Sequence, residues 1–230
     1  MMPAETWAII PVKTLERAKQ RLAPVLPAEV RRELVLAMLQ SVLAAAAAAK
    51  GLSRILVVTP DQTVAALAQA KGAELLREAR ARGLNAAVRL GLARAAAAGA
   101  ARALVLPADV PLVTPGELDT LMGSGVAEAG ARVILVPAAD GEGTNAMLLA
   151  PPAALAPAFG PGSYVRHLSQ AVARRLDVGV LHLPGLAGDI DRPADLARLI
   201  APAPQLAPFQ FLAQHVMKVA EDGVARWDRP

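Results

Sequence analysis

The sequence predicts a three-layer α/β domain, in which a mostly parallel, mixed sheet carries helices on both faces. Three observations predict it. Short apolar runs alternate with longer helical stretches, capping signals open several of those helices, and one short strand-to-strand connection makes a single strand antiparallel. A chain of 230 residues, 54% apolar and 19% charged, fits one globular domain with a sizeable core. Aromatics supply only 3%, so that core must be built from Ala, Leu and Val.

Residues 6–12 read as a buried first strand. Residues 28–50 read as a long helix with Gly51 just past its end, and 54–59 as the second strand. Thr59 as cap, Pro60 at the first helical position and Gln62 in a capping box open a helix to about Ala70, which Gly72 stops. A short strand at 74–76, a loop through Gly83, a helix at 85–98 and a strand at 103–107 follow. Thr114-Pro115-Gly116-Glu117 repeats the capping-box logic and opens a helix to about Met122. Strands are expected at 132–137 and, antiparallel, at 145–149; Pro and Gly then shape a loop over 151–162. A helix at 163–174, a strand at 178–183 and a helix at 193–200 complete a domain spanning 1–200. The remainder, 201–230, reads as a stiff Pro-rich linker and one amphipathic helix over 209–227, carried by Phe209, Leu212, Val216 and Val219 and suited to simple docking.

Composition excludes several function classes. Without cysteine there is no disulfide scaffold, no Cys-type zinc site and no thiol catalysis, which fits a reducing cytoplasm. The N-terminal residues lack the basic stretch of a signal peptide, so a cytoplasmic location is expected. The longest apolar stretch, 34–49, contains Gln40 and Ser41 and is too weakly apolar to span a bilayer, so no membrane partner is expected. Three histidines argue against a His-rich metal centre. The net charge of +4 favours anionic ligands. No cationic run is interleaved with aromatics, so no nucleic acid is expected as a partner.

Five segments can carry chemistry. After the first strand, Lys13, Arg17, Lys19 and Arg21 put four cations in nine residues, where a triphosphate would meet the carboxyl ends of the strands; a solvated surface loop is the plain alternative. The segment has neither the P-loop nor the dinucleotide glycine pattern. Asp109 follows the fourth strand between Pro107 and Pro111 and is placed either to hold Mg²⁺ or to bond its own turn. Asp189 and Asp191 alternate, so an extended backbone puts both carboxylates on one face as a metal pair; helix capping before Pro193 competes, and Asp195 reads as structural. Thr144, with Gly141 and Gly143 before it, and the Gly160-Pro161-Gly162-Ser163 turn offer amides and hydroxyls to a phosphate or carboxylate, with Arg166 and His167 in support; two ordinary turns are the alternative. Asn85 either caps its helix or reads a base edge.

Taken in order, P-V-K…A-K-x-R-L, G-L-N-x-A, P-A-D-V-P-L, G-T-N, F-G-P-G-S-x-x-x-H and D-I-D-x-P-x-D-L resemble the guanylyltransferases of coenzyme F420 biosynthesis. That family includes the 2-phospho-L-lactate and phosphoenolpyruvate guanylyltransferases. The resemblance covers roughly 7–200 and leaves the tail outside it; Arg192 stands where the family more often has threonine. It implies a nucleotide-diphospho-sugar transferase-like fold, GTP as donor and Mg²⁺ as cofactor. It places metal at Asp109, Asp189 and Asp191, the phosphorylated acid at Thr144, Gly160 and Ser163, the triphosphate near Lys13, Lys19 and Arg21, and the nucleoside near Asn85.

The reaction this implies is attack of an acceptor phosphate oxygen on the α-phosphorus of GTP, with pyrophosphate leaving. Among phosphoenolpyruvate, 2-phospho-L-lactate and 3-phosphoglycerate, the alanine-rich basic composition leans toward the first through a bacterial source. Two alternatives stand beside it. One is a molybdenum-cofactor or sugar-phosphate nucleotidyltransferase, although such enzymes open with a glycine-rich loop and 11–22 has no glycine. The other is a non-catalytic nucleotide-binding regulatory protein that uses the tail to dock. A homodimer is open to the chain.

Overall fold

The structure, a computed structural model, describes residues 5–79, 82–124, 131–200, 209–213, 217–219 and 225–227. Seven strands form one sheet: β1 (Thr6–Pro11), β2 (Arg54–Thr59), β3 (Glu74–Arg77), β4 (Arg102–Val105), β5 (Arg132–Pro137), β6 (Thr144–Ala150) and β7 (Asp177–Val180), in the order β3-β2-β1-β4-β6-β5-β7. β6 runs antiparallel to both β4 and β5, and every other pairing is parallel. The inserted antiparallel strand thus lies where the short connection after residue 137 predicts it.

The alternation of strand side chains sorts the core into two layers. Ile10, Val57, Leu104, Ile134 and Leu148 face α1 (Ala28–Ala48), α2 (Gln62–Ala70) and α4 (Pro115–Ser124). Trp7, Ile9, Val105, Leu135 and Leu149 face α3 (Leu84–Ala97) and α5 (Ser163–Ala173). A methyl group on Gly91 of α3 would overlap Ile9 Cγ2, so the glycine lets this helix lie close on β1. A third cluster joins Leu22, Leu34 and Met38 to Ile190, to Leu196 of α7 (Pro193–Ile200), and to Phe209.

The α4 capping box is present: Glu117 N–H donates to Thr114 Oγ1 at 3.2 Å, and Glu117 Oε2 accepts from Thr114 N–H at 3.0 Å. The expected cap of α2 is corrected. Asp61, not Thr59, accepts from the Thr63 and Val64 amides, at 2.9 and 3.2 Å, and its other oxygen accepts from Leu15 N–H at 2.9 Å. A carboxylate can serve a helix end and a loop at once, which one hydroxyl cannot. Thr59 Oγ1 accepts from Asp61 N–H instead.

The single amphipathic helix expected over the tail is also corrected. Among the described residues of the tail a short α8 (Gln210–Ala213) is followed by an antiparallel pair, β8 (Met217–Val219) and β9 (Ala225–Trp227). The sequence contains the reason: Val216, Val219, Val224 and Trp227 favour strands, and Asp222-Gly223 is a hairpin signal. The linker expected at 201–208 lies outside the described residues. Among the described residues no helix is long and apolar enough to cross a membrane.

Candidate active site

A cleft of about 680 Å³ opens beyond the carboxyl ends of β1 and β4 and the start of antiparallel β6. Lys13, Lys19 and Arg21 line it, with Asp109, Asp189 and Asp191 at one end and Thr144, Gly160 and Ser163 in its wall.

The cationic turn is held from below. Buried Arg31 of α1 donates to the carbonyls of Ala18 and Leu26, at 3.1 and 2.8 Å, while Asp61 holds Leu15. Between these anchors Lys19 adopts φ 45°, ψ 52°, a left-handed conformation that is costly for a residue with a Cβ. It aims the ammonium inward. Nζ lies 2.6 Å from Asp109 Oδ2 and 3.6 Å from Asp191 Oδ1, and Arg21 Nη1 reaches Asp191 Oδ2 at 2.6 Å. Burial alone would lower the Lys19 pKa, but the Asp109 carboxylate, joined by the charges of Asp191 and Asp189, offsets it and the net direction is upward.

The two acidic stretches are stitched by backbone, with Ile190 N–H donating to Asp109 C=O at 3.0 Å. Ile190 is fully buried, and Asp189 and Asp191 on either side of it both line the cleft. Burial raises the Asp189 carboxyl above its ordinary range, and the Asp109 charge adds to that; the Asn145 amide, 3.1 Å away, pulls the other way. Among the described residues no three acidic or histidine side chains stand together as a ready-made metal site. The donor set still suits a hard divalent cation. Lys19 pairs with Asp109 and Asp191, Asp189 feels the charge of both Asp109 and Lys19, and carboxylate oxygens are the hard donors such an ion takes.

Asn145 is a site residue the sequence reading passed over. Val136 pairs with Ala146 and Pro137 with Thr144, so Asn145 is an extra residue at a register shift. Such a bulge re-aims side chains. Asn145 turns to one face of the sheet, donating to the carbonyls of Leu186 and Ala187 in α6 (Pro184–Ala187) and to Asp189. Thr144 turns to the other, where its amide donates to Ser163 Oγ at 2.8 Å and its hydroxyl meets His167 Nδ1 at 2.9 Å. The G-T-N motif therefore ties the acidic end of the cleft to its hydroxyl wall. A polar residue next to Thr144 on an otherwise apolar strand was the available signal.

Three expected ligand contacts stand behind the wall instead of in it. The Asn85 amide clasps the Phe159 backbone, accepting from its N–H at 2.7 Å and donating to its C=O at 3.0 Å. It caps no helix, since α3 starts at Leu84 after Gly83. The Arg166 guanidinium donates to the carbonyls of Ala158 and Pro161, bracing the Gly-Pro-Gly turn. His167 is fully buried and accepts from Ala158 N–H at Nε2, 2.8 Å away; burial, then the nearby Arg166 charge, lowers its pKa to about 4. Thr144 and Ser163 line the cleft, whereas these three side chains spend their polar atoms on the loop backbone.

Solved structures with this sheet handle nucleotides. A Desulfovibrio desulfuricans G20 protein classed with the nucleotide-diphospho-sugar transferases aligns at TM-score 0.72 and 15% identity, covering 92% of this chain and 95% of that one. A nucleotidyl transferase from Methanothermobacter aligns at 0.60 and 17%, covering 85% and 95%. At such identities the likeness is one of fold. Sequence narrows it further. The chain belongs to the CofC-like guanylyl transferase family, whose profile matches residues 6–225. The match runs beyond residue 200, so the tail belongs to the family's span and does not lie outside it. A phosphoenolpyruvate guanylyltransferase of Sphaerobacter thermophilus is 43% identical over 86% of this chain and 94% of its own length. One from Rubrobacter xylanophilus is 45% identical over 85% and 93%.

Proposed function

We propose that the chain transfers GMP from GTP to phosphoenolpyruvate, releasing pyrophosphate, as a cytoplasmic step in coenzyme F420 biosynthesis. The observation that carries this reading is the cleft itself. It is lined both by cations and carboxylates, suited to a nucleotide triphosphate, and by the Thr144 and Ser163 hydroxyls, suited to a small anion. The identity to phosphoenolpyruvate guanylyltransferases over nearly their whole length supports both the nucleotide and the acceptor.

An acceptor phosphate monoester has its second pKa near about 6, so its attacking oxygen is already anionic at neutral pH and needs no general base. The protein's task is alignment and charge. Lys13, Lys19 and Arg21 bind the triphosphate and balance the charge that builds on pyrophosphate as it leaves. Thr144, Ser163 and the Gly160 backbone orient the acceptor. Asp109, Asp189 and Asp191 would hold Mg²⁺, which when bound neutralises phosphate charge. Asn85 and Arg166 keep the turn between them in shape.

The test is a matrix of phosphoenolpyruvate, 2-phospho-L-lactate and 3-phosphoglycerate against GTP, ATP and CTP, with products followed by mass and pyrophosphate by coupled assay. A guanylylated phosphoenolpyruvate should dominate. Preference for another acid would move the acceptor assignment, and no pyrophosphate from GTP with any acid would remove the function.

A further inference from the structure

The hydrogen bonds of His167 determine which way the acceptor wall points its protons. Ala158 N–H donates to His167 Nε2 at 2.8 Å. A ring nitrogen that accepts carries no proton, so the neutral imidazole holds its single proton on Nδ1. Nδ1 lies 2.9 Å from Thr144 Oγ1 and therefore donates to it. With one lone pair of Thr144 Oγ1 taken from inside, its own hydrogen must go elsewhere, and the cleft is the side on which Thr144 is open. Ser163 repeats the arrangement: Oγ accepts from Thr144 N–H at 2.8 Å and also lines the cleft. Neither hydroxyl hydrogen has an internal acceptor among the described residues.

The ring has little freedom to choose otherwise. It is fully buried, and Phe159 packs edge-on against it with centroids 4.9 Å apart. The Phe159 backbone is clasped by Asn85, and the Ala158 carbonyl is held by Arg166. His167 also sits one helical turn after Ser163 on α5, so both face β6.

We propose that His167 is a positioning residue which, by donating from Nδ1 to Thr144 Oγ1, commits the Thr144 hydroxyl to donate into the cleft, so that this wall offers a hydrogen-bond donor to an oxyanion. The inference rests on the reading of this wall as the acceptor site.

Two measurements test it. In imidazole-¹⁵N-labelled protein without substrate, NMR should find His167 as the Nδ1–H tautomer; an Nε2–H tautomer overturns the proposal whatever the acceptor is. In kinetics, His167→Ala should raise KM for phosphoenolpyruvate roughly tenfold while leaving KM for GTP within about twofold. Thr144→Val should do the same, and the double variant should be no worse than either single one. Additive losses, or equal effects on both KM values, overturn the proposal. If His167→Ala does not fold, His167→Asn decides, because its amide can still donate from near the Nδ1 position. It should keep a near-native KM, and a folded His167→Asn protein with the raised KM overturns the proposal. A wild type that ignores phosphoenolpyruvate while showing the Nδ1–H tautomer refutes the acceptor assignment but not the role of His167.

Discussion

The Lys19 ammonium lies 2.6 Å from Asp109 Oδ2, across 90 residues of sequence. The lysine side chain is 10% exposed and also reaches Asp191, so one cation ties together the turn after β1, the loop after β4 and the stretch before α7.

Replacing that cation should change two observables in opposite directions. In Lys19→Met, kcat/KM for GTP should fall about 100-fold, since charge aimed at the phosphates is lost. Mg²⁺ titrated calorimetrically without nucleotide should bind more tightly, because no ammonium shares the carboxylate oxygens. Unchanged Mg²⁺ affinity would detach these three carboxylates from the metal.

Asp109 and Asp195 should separate function from stability. Asp109→Ala should abolish turnover in a folded protein. Asp195 accepts from the amides of Asp191 and Arg192 at 3.0 and 2.7 Å, the reciprocal half of a capping box on α7. Asp195→Ala should therefore cost roughly 1 kcal/mol in chemical denaturation with kcat nearly kept. This contact serves the helix start at Arg192, whose side chain has no oxygen to cap it.

Acid should weaken the fold through His167. Its pKa falls from 6.5 to about 4 on folding, so between those values the unfolded chain binds a proton that the native one does not. Stability then rises with pH across this window: the contribution is complete above 6.5 and is lost as pH falls toward 4. The loss approaches roughly 3 kcal/mol. Urea melts of wild type and His167→Asn between pH 4 and 7 should show the wild type losing more stability on acidification, and parallel pH profiles would contradict it.

The tail should support the site from beneath. Phe209 is fully buried against Leu22, next to Arg21, and Ile190, between the two aspartates. Phe209→Ala should cost about 3–5 kcal/mol, lowering the urea midpoint at an unchanged slope. A midpoint like that of wild type would mean that the tail docks only loosely.

Local signals in the chain were enough for the sheet and the Thr114 capping box, since each depends on spacing along a few residues. The roles of Asn85, Arg166 and His167 were not readable that way. A polar side chain beside a glycine-rich turn looks the same in sequence whether it faces a ligand or braces the turn from behind. The tail shows a related ambiguity: helical spacing of apolar residues competes there with the β-branched residues of an antiparallel strand pair.

The amino-acid sequence by itself determined the α/β layering, the family and the residue types available to grip a triphosphate, because periodicity and motif order are properties of the chain. Only the tertiary structure decided that Lys19 sits among Asp109 and Asp191, that a one-residue bulge sends Thr144 and Asn145 to opposite faces, and that His167 serves a hydroxyl instead of a ligand. Those outcomes depend on distances and burial between segments far apart in sequence, where desolvation and hydrogen-bond completion, not local propensity, select the arrangement.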